Sequence, residues 1–227
     1  MGELINSLAK AIFDSSEDII QDYAEITIDS VLEDGILKEV PLVGTALGVG
    51  KVVLSVRDRI FLKNIIIFLK KVKENRIDEE HLQKHLKSFE NNPHKREKEL
   101  EIVVSCCDQY TDRIKSKLLA NIYTCFITGK IDWENFRACV EILEDIKVTD
   151  IPTLCEIYEK GEYVKGDNYY PLSLKRLNGV GVVQYFDEMV VVRSKENKRD
   201  IKAAISPSGK AFVEIAMNDI VITDEDF

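Results

Sequence analysis

Apolar residues recur near a 3.6-residue period through the first two thirds of the chain. Leu4, Ile5, Leu8, Ile12, Ile19, Ile20, Tyr23, Ile26 and Ile28 form one such stripe, with Asp and Glu on the other faces. The pattern predicts helix from Glu3 to Leu32, broken near Ser15 and Ser16. Gly35 is a stop signal and Pro41 opens an apolar helix through Gly44, Gly48 and Gly50 into Val52, Val53 and Leu54. Ser55 to Val72 continues as an amphipathic helix with Arg57, Asp58, Arg59, Lys63, Lys70 and Lys71 as its polar members. Asp78 caps a short helix ending near Phe89, and Asn91, Asn92 and Pro93 read as a loop. Lys95 to Ile127 carries the longest unbroken stripe: Leu100, Val103, Val104, Cys107, Tyr110, Ile114, Leu118 and Ile122. Gly129 ends it in the position after a helix that glycine favours. Asp132 caps a helix from Trp133 to Ile146. Asp150 caps another from Ile151 to Glu159, with Pro152 in the first turn.

The pattern changes after Gly161. Pro171 to Leu177 reads as a helix ending at Asn178 and Gly179. Val180 to Tyr185 and Met189 to Arg193 are β-branched runs joined by Phe186, Asp187 and Glu188, and Ile201 to Ile205 is a third strand. Ser206 and Pro207 start a last helix that ends at Met217. Helix, strand, wing-like hairpin, helix is the order of part of a winged-helix unit. The expected fold is therefore mainly α: a helical domain over residues 1–160, a small winged-helix-like α+β domain over 161–217, and an acidic tail over 218–227.

Composition narrows the function classes. The chain has 227 residues, 45% of them hydrophobic, enough for a core in one domain or two small ones. Its formal net charge of −9 repels phosphate backbones, so nucleic acid is a disfavoured partner. The five cysteines form no CxxC pair and sit among apolar residues, as buried thiols of a reducing compartment do. No signal peptide or lipidation motif is evident, and no stretch reaches the roughly 18 uncharged apolar residues of a spanning helix. The expected location is the cytoplasm, with the inner-membrane surface as a second site.

Glycine in a helix costs about 1 kcal/mol relative to alanine, so Gly44, Gly48 and Gly50 together need a reason. Close approach of another helix is one, with Gly44, Ala46, Gly48, Gly50 and Val53 at the contact; tight packing in the protein's own core and a glycine-rich break between two helices are the others. Arg57, Arg59 and Lys63 follow directly, as a basic flank attracted to anionic lipid would. Lys51 interrupts the segment and weighs against a simple span. Self-association and a membrane surface are therefore expected partners. Lys175 and Arg176 on the last domain's helix, with Lys198 and Arg199 on its wing, form a partner surface, and interleaved acids favour a protein there.

Catalytic and metal chemistry find no motif. His81 and His85 lie four apart, but the glutamate of HExxH is absent and both read as surface residues. Lys51 follows glycines without the Ser or Thr of a phosphate loop. No cofactor, metal or catalytic residue is expected.

The runs 115–123 (Lys-Ser-Lys-Leu-Leu-Ala-Asn-Ile-Tyr) and 140–146, with Phe136 and Leu154, resemble the helical part of the Abi-alpha (DUF4393-like) bacterial proteins. So does the ending, Leu177-Asn-Gly-Val-Gly-Val-Val followed by Ser206-Pro-Ser-Gly-Lys-Ala-Phe. The resemblance covers residues 95–217. It implies a non-enzymatic bacterial protein of phage resistance or abortive infection, with no catalytic residues to carry over. It also favours a membrane role for Val40 to Val56.

Overall fold

The structure is a computed structural model that describes residues 2–13, 55–166, 172–189 and 199–220. The fold is mainly α. The chain divides into two compact units, one ending at Phe136 and one running from Arg137 to Ile220. This boundary precedes the cut expected near Tyr158 to Asp167, because Ile151–Lys160 packs on the strands that follow it.

The first unit holds α1 (Gly2–Phe13), α2 (Val56–Glu74), α3 (Glu79–Asn91), α4 (Pro93–Gln109), α5 (Arg113–Ile127) and the start of α6 (Trp133–Asp145). Local capping sets several boundaries. Ser55 and Asp58 form a capping box that opens α2, and Asp78 accepts the amide of His81 to open α3. Asp132 accepts the Asn135 amide at 2.8 Å to open α6, and Gly129, at φ 70°, follows the end of α5. Burial of Leu62, Ile65, Ile66, Phe68 and Leu69 makes α2 the central helix, packed most extensively on α5. The Phe68 and Tyr123 rings lie 5.7 Å apart across that contact.

The single long helix expected over Lys95 to Ile127 is two helices, broken at Tyr110, Thr111 and Asp112. Every residue of the expected stripe is nevertheless buried. The break is held by Asn64, buried on α2, whose amide donates to the carbonyls of Cys107 at 2.9 Å and Tyr110 at 2.7 Å. A carbonyl released from helical bonding inside a core needs such a partner. The expected loop at Asn91 to Pro93 shrinks to Asn92, whose side chain caps α4 with Pro93 in its first turn.

The second unit continues through α6, a 3-10 turn (Val148–Asp150), α7 (Ile151–Lys160), β1 (Glu162–Gly166), α8 (Leu172–Val180), β2 (Val183–Met189), β3 (Arg199–Ile205) and α9 (Pro207–Ala216). The three strands form an antiparallel sheet of order β1-β3-β2. Sequence patterning missed β1. It also placed a turn at Phe186 to Glu188, which lies inside β2 and pairs with Asp200 to Lys202. The core gathers Leu143, Ile151, Leu154, Leu174, Leu177, Val182 and Phe212.

Gly209 fixes how α9 starts. A Cβ there would lie 1.9 Å from the Val182 carbonyl oxygen, so only glycine fits. Ser206 completes the joint: its Oγ accepts the Gly209 amide at 2.9 Å and donates to the Gly181 carbonyl at 2.6 Å.

Candidate functional site

The outer face of α8 is the part of the expected partner surface that the structure describes fully. Leu174 and Leu177 point into the core, so Leu172, Lys175, Asn178 and Gly179 are left outward at helical spacing. Leu172 is 62% exposed, unusual for a leucine.

Lys175 and Arg176, expected side by side on this surface, are separated by the helix geometry. Lys175 is exposed. Arg176 turns toward Asp150, a fully buried carboxylate at the end of the 3-10 turn, and grips both of its oxygens, with Nε to Oδ2 at 2.6 Å. An isolated buried carboxylate is costly, and a guanidinium fork matches its geometry. Arg176 therefore joins α8 to the start of α7, a correction to its expected place in a partner surface. Asp150 is also read differently from the sequence. It stands at the N-cap of α7, but its side chain makes no capping hydrogen bond. Lys198 lies outside the described residues, and Arg199 begins β3 opposite Met189.

The basic flank lies in the first two turns of α2. The capping box sets Ser55 as the N-cap of α2, with Ser55 itself extended at φ −68°, ψ 162°. Arg57 pairs with Asp108 of α4, with Nε to Oδ1 at 3.2 Å. Arg59 is exposed and Lys63 is half-buried. Gly44, Ala46, Gly48, Gly50 and Val53 lie outside the described residues. Among the described residues no helix is long and apolar enough to cross a membrane.

The histidines diverge. His81 rests against its own N-cap, with Nδ1 2.6 Å from Asp78 Oδ2, and hydrogen bonds from His81 hold the Asp78 carboxyl below its ordinary range. His85, expected at the surface, is buried on α3. It stacks on Phe13 at 5.7 Å and meets Phe89 and Phe126 edge-on at 4.9 and 5.4 Å. Its Nε2 lies 2.7 Å from Oε1 of Glu99, which also accepts the Tyr123 hydroxyl at 2.7 Å. Glu99 is fully buried, and its Oε2 has no hydrogen-bond partner among the described residues. Burial, reinforced by Glu99, pushes the Tyr123 hydroxyl well above its ordinary pKa, so it remains a donor. This cluster ties α3, α4 and α5 together. Its only sequence signal is a glutamate within an apolar stripe.

Among the described residues no group of three His, Cys, Asp or Glu side chains is arranged to hold a metal. Cys106, Cys107 and Cys139 are buried, and Cys125 and Cys155 are partly so. Burial raises the Cys107, Cys125 and Cys155 thiols above their ordinary values, which disfavours the nucleophilic thiolate. Compared with known proteins, the chain matches no family model, no curated protein and no solved structure.

Proposed function

We propose that this chain is a non-enzymatic interaction protein of bacterial phage defence, whose winged-helix-like C-terminal unit binds a protein partner through the outer face of α8. One observation carries the reading. The antiparallel order β1-β3-β2, with α8 between β1 and β2 and α9 after β3, supports the winged-helix-like reading. Among the described residues a single helix separates β1 from β2, so the reading is of an abbreviated form of that arrangement.

The choice of a protein partner follows from the chemistry of the face. A phosphate-reading helix presents several cations, whereas α8 presents Leu172, Lys175 and Asn178 and commits Arg176 to Asp150. An exposed leucine beside one lysine suits an apolar protein surface with an acidic rim. The phage-defence part of the proposal rests on the resemblance over residues 95–217.

The test is phage plating on a sensitive bacterial host expressing the chain. Wild type is expected to reduce plaque formation. Leu172→Glu with Lys175→Glu, both at exposed positions, should lose protection while keeping the helical circular dichroism of wild type. A wild type that gives no protection contradicts the defence reading. A double variant that protects fully contradicts the role of α8.

The glycine spacing of segment 40–56 supports an assembly or membrane step alongside this binding. Size-exclusion chromatography with and without anionic liposomes separates the two. Gly44→Leu with Gly48→Leu should abolish whichever shift wild type gives. An unchanged shift removes the segment from the mechanism.

A further inference from the structure

The N-terminal unit contains a cavity of about 330 Å³ where α1 ends, α2 ends and α3 begins. Ile12, Val72, Ile77 and Leu82 form apolar walls, and Lys73, Arg76 and Glu79 supply its charges. Its volume lies at the small end of the range that holds small-molecule ligands, about 300–1,000 Å³.

Two of the three charges are engaged. Lys73 Nζ donates to the Ile12 carbonyl at 3.0 Å, covering the last turn of α1. Glu79 Oε1 accepts from the Gln83 amide at 2.7 Å. Arg76 is exposed, and its guanidinium has no hydrogen bond or ion pair among the described residues.

The backbone is also unusual at Arg76, one of two described non-glycine residues with positive φ, the other being Asp219. Arg76 has φ 49° and follows the C-cap Asn75, so it occupies the left-handed position after a helix where glycine is the usual choice. A long side chain is uncommon there. Helix-dipole compensation does not account for it, because Lys71 and Lys73 already place two cations in the last turn of α2. A cation beside an apolar cavity, in a conformation that favours glycine, is the combination from which the proposal starts.

We propose that this cavity binds a small amphipathic monoanion, a free medium-chain carboxylate. Its alkyl chain lies against Ile12, Val72, Ile77 and Leu82. Its carboxylate meets the Arg76 guanidinium, which offers the two parallel donors a carboxylate accepts. Glu79 at the same mouth selects one negative charge over two, and the small volume limits chain length. This site is independent of the α8 face and of any role in defence.

Isothermal titration of the full chain with decanoate, below its micelle-forming concentration, tests the proposal. The controls are decanol, with the chain but no charge, and acetate, with the charge but no chain. Saturable decanoate binding is expected, with both controls at least about tenfold weaker. Arg76→Gly should weaken decanoate by about tenfold or more and at the same time raise the melting temperature, because glycine adopts this φ freely. A stabilised variant that no longer binds separates ligand recognition from a structural role. Absence of saturable decanoate binding, decanol binding as tight as decanoate, or undiminished binding by Arg76→Gly each overturns the proposal.

Discussion

The two units bury polar groups in opposite ways. The N-terminal unit places them at its centre. Glu99 and Asn64 lie within the helical core, and each holds two partners. The C-terminal unit keeps its polar joints at element ends. Asp150 lies at the start of a helix, Ser206 caps another, and the space between them is filled by Leu, Val and Phe. A central acid constrains three helices at once and leaves no outward trace. A terminal acid draws one cation inward and so determines which side chains of that helix remain outside. This is why the proposed contact face is argued on α8 of the C-terminal unit.

The largest test of this contrast is Gly209→Ala. The added methyl collides with the Val182 backbone, and a cost of about 3 kcal/mol is expected. In hydrogen exchange the amides of β2, β3 and α9 should lose protection first. Equal loss across α2 and α5 would contradict the separation of the units.

Tyr123→Phe comes next, at about 1–3 kcal/mol, because Glu99 loses one of its two hydrogen-bond partners. Its pH dependence follows from the raised pKa of Tyr123. The folded state keeps the phenol protonated, while the unfolded state ionises near pH 10. The hydroxyl's contribution is therefore fully present below about pH 10 and lost as pH rises further. Wild-type stability should fall above pH 10 more steeply than that of Tyr123→Phe. Parallel alkaline curves would remove Tyr123 from the cluster.

Ser55→Ala should cost about 1 kcal/mol, the worth of a helix cap, and is read by urea denaturation. Arg57→Ala removes an exposed ion pair and should leave the melting temperature unchanged.

Local signals in the sequence carried far. The caps at Asp78 and Asp132, the glycine stop at Gly129, the start at Ser206 and the buried stripe from Leu100 to Ile122 all follow from spacing and turn chemistry. Distant partners decided the rest. The break at Tyr110 depends on Asn64, and the burial of His85 depends on Glu99 and on Phe13 and Phe126 from other helices. The pairing of Arg176 with Asp150 spans 26 positions, and neither residue differs in sequence from an ordinary surface charge. β1 was missed because Glu162 to Gly166 has no alternating pattern and gains its strand form by pairing with β3. Part of the α8 face was therefore legible as exposed helix, while the distinct jobs of its two cations were not.

That distinction is the account's central claim, and thermal unfolding of Arg176→Met beside Lys175→Met tests it most directly. Arg176→Met leaves Asp150 buried without its guanidinium, so its melting temperature should fall clearly, while Lys175→Met, at an exposed position, should lose much less. Equal melting temperatures for the two variants, or a larger loss for Lys175→Met, would contradict it.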